Sequence, residues 1–188
     1  MRRVAYLFLT MTILTCTACA PVVAPPQWNH EPEAVRIHIK ADHRLNMYNG
    51  RAHTLYMCTY QLRELDALDR MTQDSDGIQQ LLECRLFDDS VASANSRVVH
   101  PGEQITLTMD RASRVKHLAI VTGYSTELSN ERVVRRHNFQ TYKQTESYLK
   151  RQYRCIPCEL NIELALGPYQ IEHSKIMPSD QVCNDECE

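Results

Sequence analysis

The chain has 188 residues, of which 43% are hydrophobic and 23% charged, the proportions of one ordinary globular domain with tails. Its formal charge of −2 leaves no broad basic field, which argues against nucleic acid as a principal partner. Only five glycines are present and no phosphate-loop or dinucleotide pattern occurs, so a nucleotide cradle has little material.

At the N-terminus Arg2 and Arg3 precede an uncharged apolar run from Val4 to Leu14, followed by small and polar residues. This is the layout of a secretory signal, and the run is too short to span a hydrocarbon core that needs about 20 residues. Cys16-Thr17-Ala18-Cys19 resembles the lipobox of bacterial lipoproteins, in which a small residue precedes the cysteine that is acylated. Cys19, after Ala18, fits that role better than Cys16, after Thr15. Pro21, and the absence of Asp after Cys19, resemble the outer-membrane sorting pattern. Once residues 1–18 are removed, 19 basic and 23 acidic residues leave a charge of −4. The proline-rich stretch from Ala20 to Pro32 predicts an extended tether of roughly 40 Å at ~3.1 Å per residue.

From Glu33 the pattern is that of a β domain. Val35, Ile37 and Ile39 alternate with Arg36, His38 and Lys40, which predicts a strand with one buried face. Thr54 to Leu62 is apolar on both faces and suits a central strand. Between them Ala41 to His53 carries the turn formers Asp42, Asn46, Asn49 and Gly50. Leu45, Met47 and Tyr48 are expected to be presented there, making this loop the first candidate for a contact surface.

Leu62, Leu65, Leu68 and Met71 then recur at helical spacing, and Ile78, Leu81 and Leu82 follow Ser75 and Asp76 as N-cap candidates. One or two short helices are predicted between Arg63 and Cys84. A strand is expected through Arg97-Val98-Val99 up to a turn at Pro101-Gly102. Ile105, Leu107 and Met109 make a one-sided strand, and Leu118 to Val121 a two-sided one; the pair is expected to form a hairpin through Arg111 to Lys116. Arg132 to Phe139 offers another strand, Thr141 to Arg154 has no clear pattern, Leu160 to Leu166 alternates, and a short segment with Tyr169 and Ile171 follows Gly167-Pro168. Arg132, Arg135 and Arg136 form a local cluster that suits a solvated strand face. About seven strands with one helical excursion favour a mainly β fold, a small β-sandwich with added helices. The expected organisation is a signal peptide over 1–18, an acylated Cys19 and tether over 19–32, a sandwich over 33–174, and a Cys-containing acidic tail over 175–188.

Leu45-Asn46, Tyr60-Gln61-Leu62, Leu81-Leu82-Glu83, Pro101-Gly102, Asp110-Arg111-Ala112 and Gly123-Tyr124, in this order downstream of a lipobox, resemble the TssJ family, also called SciN or VasD. These are outer-membrane lipoproteins of the bacterial type VI secretion system. The resemblance covers roughly Ala34 to Ile171. It implies a transthyretin-like antiparallel β-sandwich with short added helices. It also implies a periplasmic, lipid-anchored protein that tethers the trans-envelope complex by binding the periplasmic C-terminal region of the inner-membrane protein TssM. The loop between the first two strands, Asp42 to Arg51 here, is implicated in that contact, which makes Leu45, Asn46, Met47, Tyr48 and Asn49 the candidate partner-binding residues. The cysteine-rich end from Cys155 lies outside the family pattern.

With Cys16 removed and Cys19 acylated, Cys58, Cys84, Cys155, Cys158, Cys183 and Cys187 remain. After export an even count predicts up to three disulfides whose connectivity spacing alone does not settle. The favoured arrangement pairs Cys58 with Cys84 and pins Cys155 and Cys158 to Cys183 and Cys187. Cys155-x-x-Cys158 with Cys183-x3-Cys187 has spacing a zinc site would tolerate, but oxidation competes with metal after export. A thioredoxin-like role for Cys155-Ile156-Pro157-Cys158 needs the cysteine to open a helix, and an alternating strand pattern follows instead. No HExxH array, nucleophile elbow or converging carboxylate pair is present, so neither an enzyme nor a cofactor is expected. The alternative to an anchor is an envelope lipoprotein whose sandwich binds a ligand or carbohydrate.

Overall fold

The computed structural model describes residues 22–126, 128–147, 152–178, 183 and 187. The signal peptide, Cys19 and most of the tail after Pro178 lie outside the described residues.

The strands are β1 (Val22–Ala24), β2 (Glu31–Ala41), β3 (Leu55–Leu62), β4 (Val91–Val99), β5 (Gln104–Arg111), β6 (His117–Gly123), β7 (Val134–Asn138), β8 (Thr141–Ser147), β9 (Gln152–Pro157), β10 (Leu160–Leu166) and β11 (Ile171–Ile176). Among the described residues three short helices, α1 (Asp66–Met71), α2 (Ser75–Leu81) and α3 (Asn130–Val133), interrupt them. Two four-stranded sheets, β11-β10-β2-β5 and β4-β3-β6-β7, form the sandwich, and β1-β9-β8 form a third, smaller sheet. Within the sandwich sheets the pairing is antiparallel except between β2 and β10, which run parallel with Val35 opposite Leu160 and Ala41 opposite Leu166.

The two-residue period of β2 is realised directly: Val35, Ile37 and Ile39 are buried and Lys40 is exposed. β3 is covered on both faces for a different reason on each. Gln61 reaches the opposite sheet, donating from Nε2 to the Asp110 carbonyl at 2.7 Å and accepting from the Ala112 N–H at 2.8 Å. On the other face Cys58 is bonded to Cys84, and the Tyr60 hydroxyl donates to the Leu81 carbonyl at the end of α2. Tyr60 also packs against the Phe87 ring, 5.5 Å between centroids. The helices thus form an outer layer on the second sheet, and burial pushes the Tyr60 hydroxyl pKa up to about 12.

Four expectations are corrected by the fold. β5 and β6 do not form a hairpin: β5 pairs with β2 at a sheet edge, while β6 lies between β3 and β7 in the other sheet. A strand apolar on both faces needs cover on both, and only the helix-backed sheet provides it; one-sided β5 takes an edge, where Ile105, Leu107 and Met109 are half-buried. The N-cap of α2 is Asp74, whose side chain accepts from the Gly77 N–H at 2.7 Å, rather than Ser75 or Asp76. The arginine cluster is not simply solvated: Arg135 donates to the Ile171 carbonyl at 2.6 Å and Arg136 pairs with Asp69 at 2.8 Å.

The last correction concerns the tether. Val22–Ala24 pair in parallel with Gln152–Arg154, so the segment is docked. Half-buried Trp28 packs on the core, with its carbonyl accepting from the Arg114 N–H at 2.6 Å. The buried Arg111 guanidinium lies 5.6 Å from the Trp28 ring centroid and 5.6 Å from that of Phe139, and donates to the Asn29 carbonyl at 3.1 Å. The unpatterned stretch Thr141 to Arg154 supplies β8 and the start of β9, the strands on which β1 docks.

Candidate functional site

The loop from Asp42 to Thr54 is held by backbone bonds to distant strands. The Asp42 N–H donates to the Leu166 carbonyl at 2.8 Å, and the Gly102 N–H donates to the Asp42 carbonyl at 3.1 Å. The Asp42 carboxylate accepts from the Arg44 N–H at 2.7 Å, an Asx-type turn that reverses the chain.

Leu45 and Asn46 then turn inward, which corrects the expectation that Leu45 is presented. Leu45 is fully buried in the core, and Asn46 is 4% exposed. Asn46 adopts φ 49°, a left-handed conformation that Asn tolerates better than most residues. Its Nδ2 donates to the Thr54 carbonyl at 2.9 Å and its Oδ1 accepts from the Ser125 N–H at 2.7 Å. One side chain therefore closes the loop on itself and ties it to the connection after β6.

Beyond Asn46 the chain projects outward. The Met47 N–H donates to the Pro168 carbonyl at 2.7 Å. Tyr48 and Arg51 exchange both backbone bonds, at 2.9 and 3.0 Å, around Asn49 (φ 49°) and Gly50 (φ 73°). Positive φ at both central residues is the requirement of the tight hairpin turn that Asn-Gly favours. The tip presents Tyr48, 52% exposed, with its ring edge against His53 at 6.2 Å. Met47 is half-buried and Asn49 exposed.

Two further loops complete this end of the sandwich. The Tyr124 hydroxyl donates to the Gln170 carbonyl at 2.7 Å, and the Thr126 hydroxyl to the Tyr169 carbonyl at 3.2 Å. Burial, reinforced by the nearby Glu172 charge, pushes the Tyr124 hydroxyl pKa up and keeps it a donor. Tyr169 itself is 52% exposed. Sequence reasoning did not select Tyr169 as a site residue; its only signal was a tyrosine just after the Gly167-Pro168 turn. Met47, Tyr48, Asn49 and Tyr169 thus share one end, whereas Leu45 and Asn46 support it from within.

The cysteines lie elsewhere. Cys58 is bonded to Cys84, Cys155 to Cys187 and Cys158 to Cys183. The four thiols of the zinc alternative are therefore consumed in disulfides. Among the described residues no group of three or more His, Cys, Asp or Glu side chains is placed to hold a metal ion, and no helix is long and apolar enough to cross a membrane.

A comparison with protein-family models matches residues 33–153 to T6SS-SciN, the type VI secretion lipoprotein family that includes VasD, EvfM and TssJ. A search of curated proteins finds no match. Among solved structures the chain is similar to the type VI secretion lipoprotein TssJ1 from Pseudomonas aeruginosa, with a TM-score of 0.54 at 16% identity over 80% of this chain and 98% of that one. It is similar to Lip from Serratia marcescens, a membrane-bound component of the type VI secretion system, with a TM-score of 0.52 at 10% identity over 77% of this chain and 97% of that one. A third similarity is to a structure described as the TssM C-terminal domain from EAEC, with a TM-score of 0.54 at 12% identity over 77% of this chain and 98% of that one. At these identities the likeness carries the fold, and the family assignment rests on the match across well over half of the sequence. The chain belongs to the SciN/TssJ family of type VI secretion lipoproteins.

Proposed function

We propose that this lipoprotein is an anchor: acyl chains on Cys19 hold it to the periplasmic face of the outer membrane, and its loop end binds the periplasmic C-terminal region of a TssM-like inner-membrane protein. Its family is one of structural secretion lipoproteins, not of enzymes. The observation that carries the reading is the exposed Tyr48-Asn49-Gly50 tip, fixed by paired backbone bonds and braced against the Tyr169 loop. An aromatic side chain on a preorganised loop loses little entropy on binding, which is the property of an interface anchor residue. Description of one structural relative as the TssM C-terminal domain agrees with such a partner. Acylation contributes about 0.8 kcal/mol per buried methylene, and more than one chain makes the attachment stable.

The test is binding of residues 20–188 to the periplasmic C-terminal region of the TssM-like protein encoded alongside. Tyr48→Asp and Tyr169→Asp should each weaken binding at least about tenfold while circular dichroism stays unchanged. Leu45→Asp is unsuitable as an interface probe because it places a charge in the core. Folded variants that bind as tightly as the parent would remove the loop end from the interface, and a folded parent that does not bind would remove TssM as partner.

A ligand-binding reading has one feature in its favour, an open groove of about 400 Å³ where β5 faces β3 and β4, lined by Met57, Thr59, Arg97, Ile105, Leu107 and Met109. Leu107→Lys should abolish ligand binding there and leave partner binding intact, as isothermal titration of both would show.

A further inference from the structure

The docked N-terminal strand determines which part of the molecule faces the membrane. Cys19 is three residues before Val22, so at about 3.4 Å per residue an acylated Cys19 keeps Val22 within roughly 10 Å of the headgroups. Val22 pairs with Gln152 at the start of β9, and Ala24 with Arg154. From there β9 runs to buried Cys155 and, through Cys158, into β10 of the sandwich. The small sheet therefore meets the sandwich at its Cys155 end and meets the anchor at its Val22 end. The Cys155–Cys187 and Cys158–Cys183 bonds brace the sandwich end.

One face of this sheet has a distinct composition. Register places Val23, Tyr153 and Thr145 in line, with Lys143 opposite Cys155 on the same face. Val23 is 41% exposed, and the Lys143 Nζ lies 4.5 Å from the Tyr153 ring centroid. Arg154, on the opposite face, is ion-paired with Glu146 at 2.5 Å, whereas Lys143 has no ion pair among the described residues. Aliphatic, tyrosyl and lysyl side chains grouped beside an acyl anchor are the residue types that settle at a membrane–water interface, and a lysyl ammonium complements anionic headgroups.

We propose that the β1-β9-β8 sheet is a stalk whose Val23, Lys143 and Tyr153 face rests on an anionic phospholipid surface. This rests on the reading of Cys19 as the acylated anchor. The domain then stands on the membrane instead of swinging from a linker. Parallel strands β2 and β10 lead from the stalk end of the sandwich to the end that carries Tyr48 and Tyr169, about 20 Å away at ~3.3 Å per residue.

The test uses the acylated full mature protein in vesicles of phosphatidylethanolamine and phosphatidylglycerol whose acyl chains carry bromine near the headgroup. Tyr153→Trp and, independently, Thr145→Trp report on the stalk, Tyr169→Trp reports on the far end, and Trp28 is a background common to all. Expected is at least about twofold quenching of the added emission for the two stalk reporters and none for Tyr169→Trp. Lys143→Glu should reduce the stalk quenching in these vesicles and leave it unchanged in purely zwitterionic ones. Unquenched stalk reporters in protein whose mass shows acyl chains on Cys19, or equal quenching at both ends, would overturn the stalk while leaving the anchor reading intact. An unmodified Cys19 would overturn the anchor reading and the stalk with it.

Discussion

Asn46 combines a left-handed backbone with two side-chain bonds, one to the Thr54 carbonyl and one from the Ser125 N–H. Asn46→Ala removes both bonds in a buried setting and leaves a residue with less tolerance for positive φ. The expected cost is about 2–3 kcal/mol, read by urea denaturation, with a parallel loss of partner affinity because the Tyr48 tip loses its support. His137 is 8% exposed, and its Nε2 lies 2.7 Å from the Ser174 hydroxyl. Burial, with a smaller contribution from the Arg135 charge, brings its pKa down from 6.5 to about 4. The unfolded chain therefore binds a proton between these values that the folded chain refuses. Stability present above pH 6.5 is lost as pH falls toward 4, by up to about 3 kcal/mol from this group. Denaturation midpoints of His137→Asn should fall less steeply between pH 7 and pH 4.5 than those of the parent; equal slopes would show that His137 is not the responsible group.

At the scale of elements, the helical layer depends on a close approach. A Cβ on Gly77 would lie 2.0 Å from the Met71 carbonyl oxygen, so α2 can start where it does only with glycine there. Gly77→Ala should cost more than about 2 kcal/mol, against less than about 0.5 for Gln79→Ala on the exposed face of the same helix. The layer is also stapled: Cys58 in β3 and Cys84 just after α2 are 26 residues apart. Loss of a bond closing a loop of that size removes about 3–4 kcal/mol by the chain-entropy account. The Cys58→Ala/Cys84→Ala protein should show that loss in denaturant titration, and reductant added to the parent should cost more, because it also opens Cys155–Cys187 and Cys158–Cys183. The two-sided burial of β3 follows from this arrangement, since Tyr60 and Cys58 would face water if α2 came away.

Across the whole molecule, the two proposals lie at opposite ends: β1 and β9 beside the proposed acyl anchor, and the Tyr48 and Tyr169 loops at the proposed partner site. Local sequence determined the elements that lie between them. Alternation in Val35 to Lys40 and in Leu160 to Leu166, the helical spacing after Leu62, and the Pro101-Gly102 turn each depend on side chains within a few residues, so the chain states them openly. The family was legible for the same reason, because short motifs in a fixed order survive without knowledge of contacts. The Asp42 to Thr54 loop was legible in its turn residues, yet its inward and outward residues were not separable. Leu45 is buried and Tyr48 exposed because of bonds to Leu166, Pro168 and Ser125, all far away in sequence. The docking of Val22–Ala24 on β9, the placement of β5 beside β2, and the strands hidden in Thr141 to Arg154 were decided in the same way. Period and turn chemistry are local properties that a sequence displays, whereas strand pairing and the side of a loop that faces water are settled only when distant segments compete for the same backbone donors and the same apolar cover.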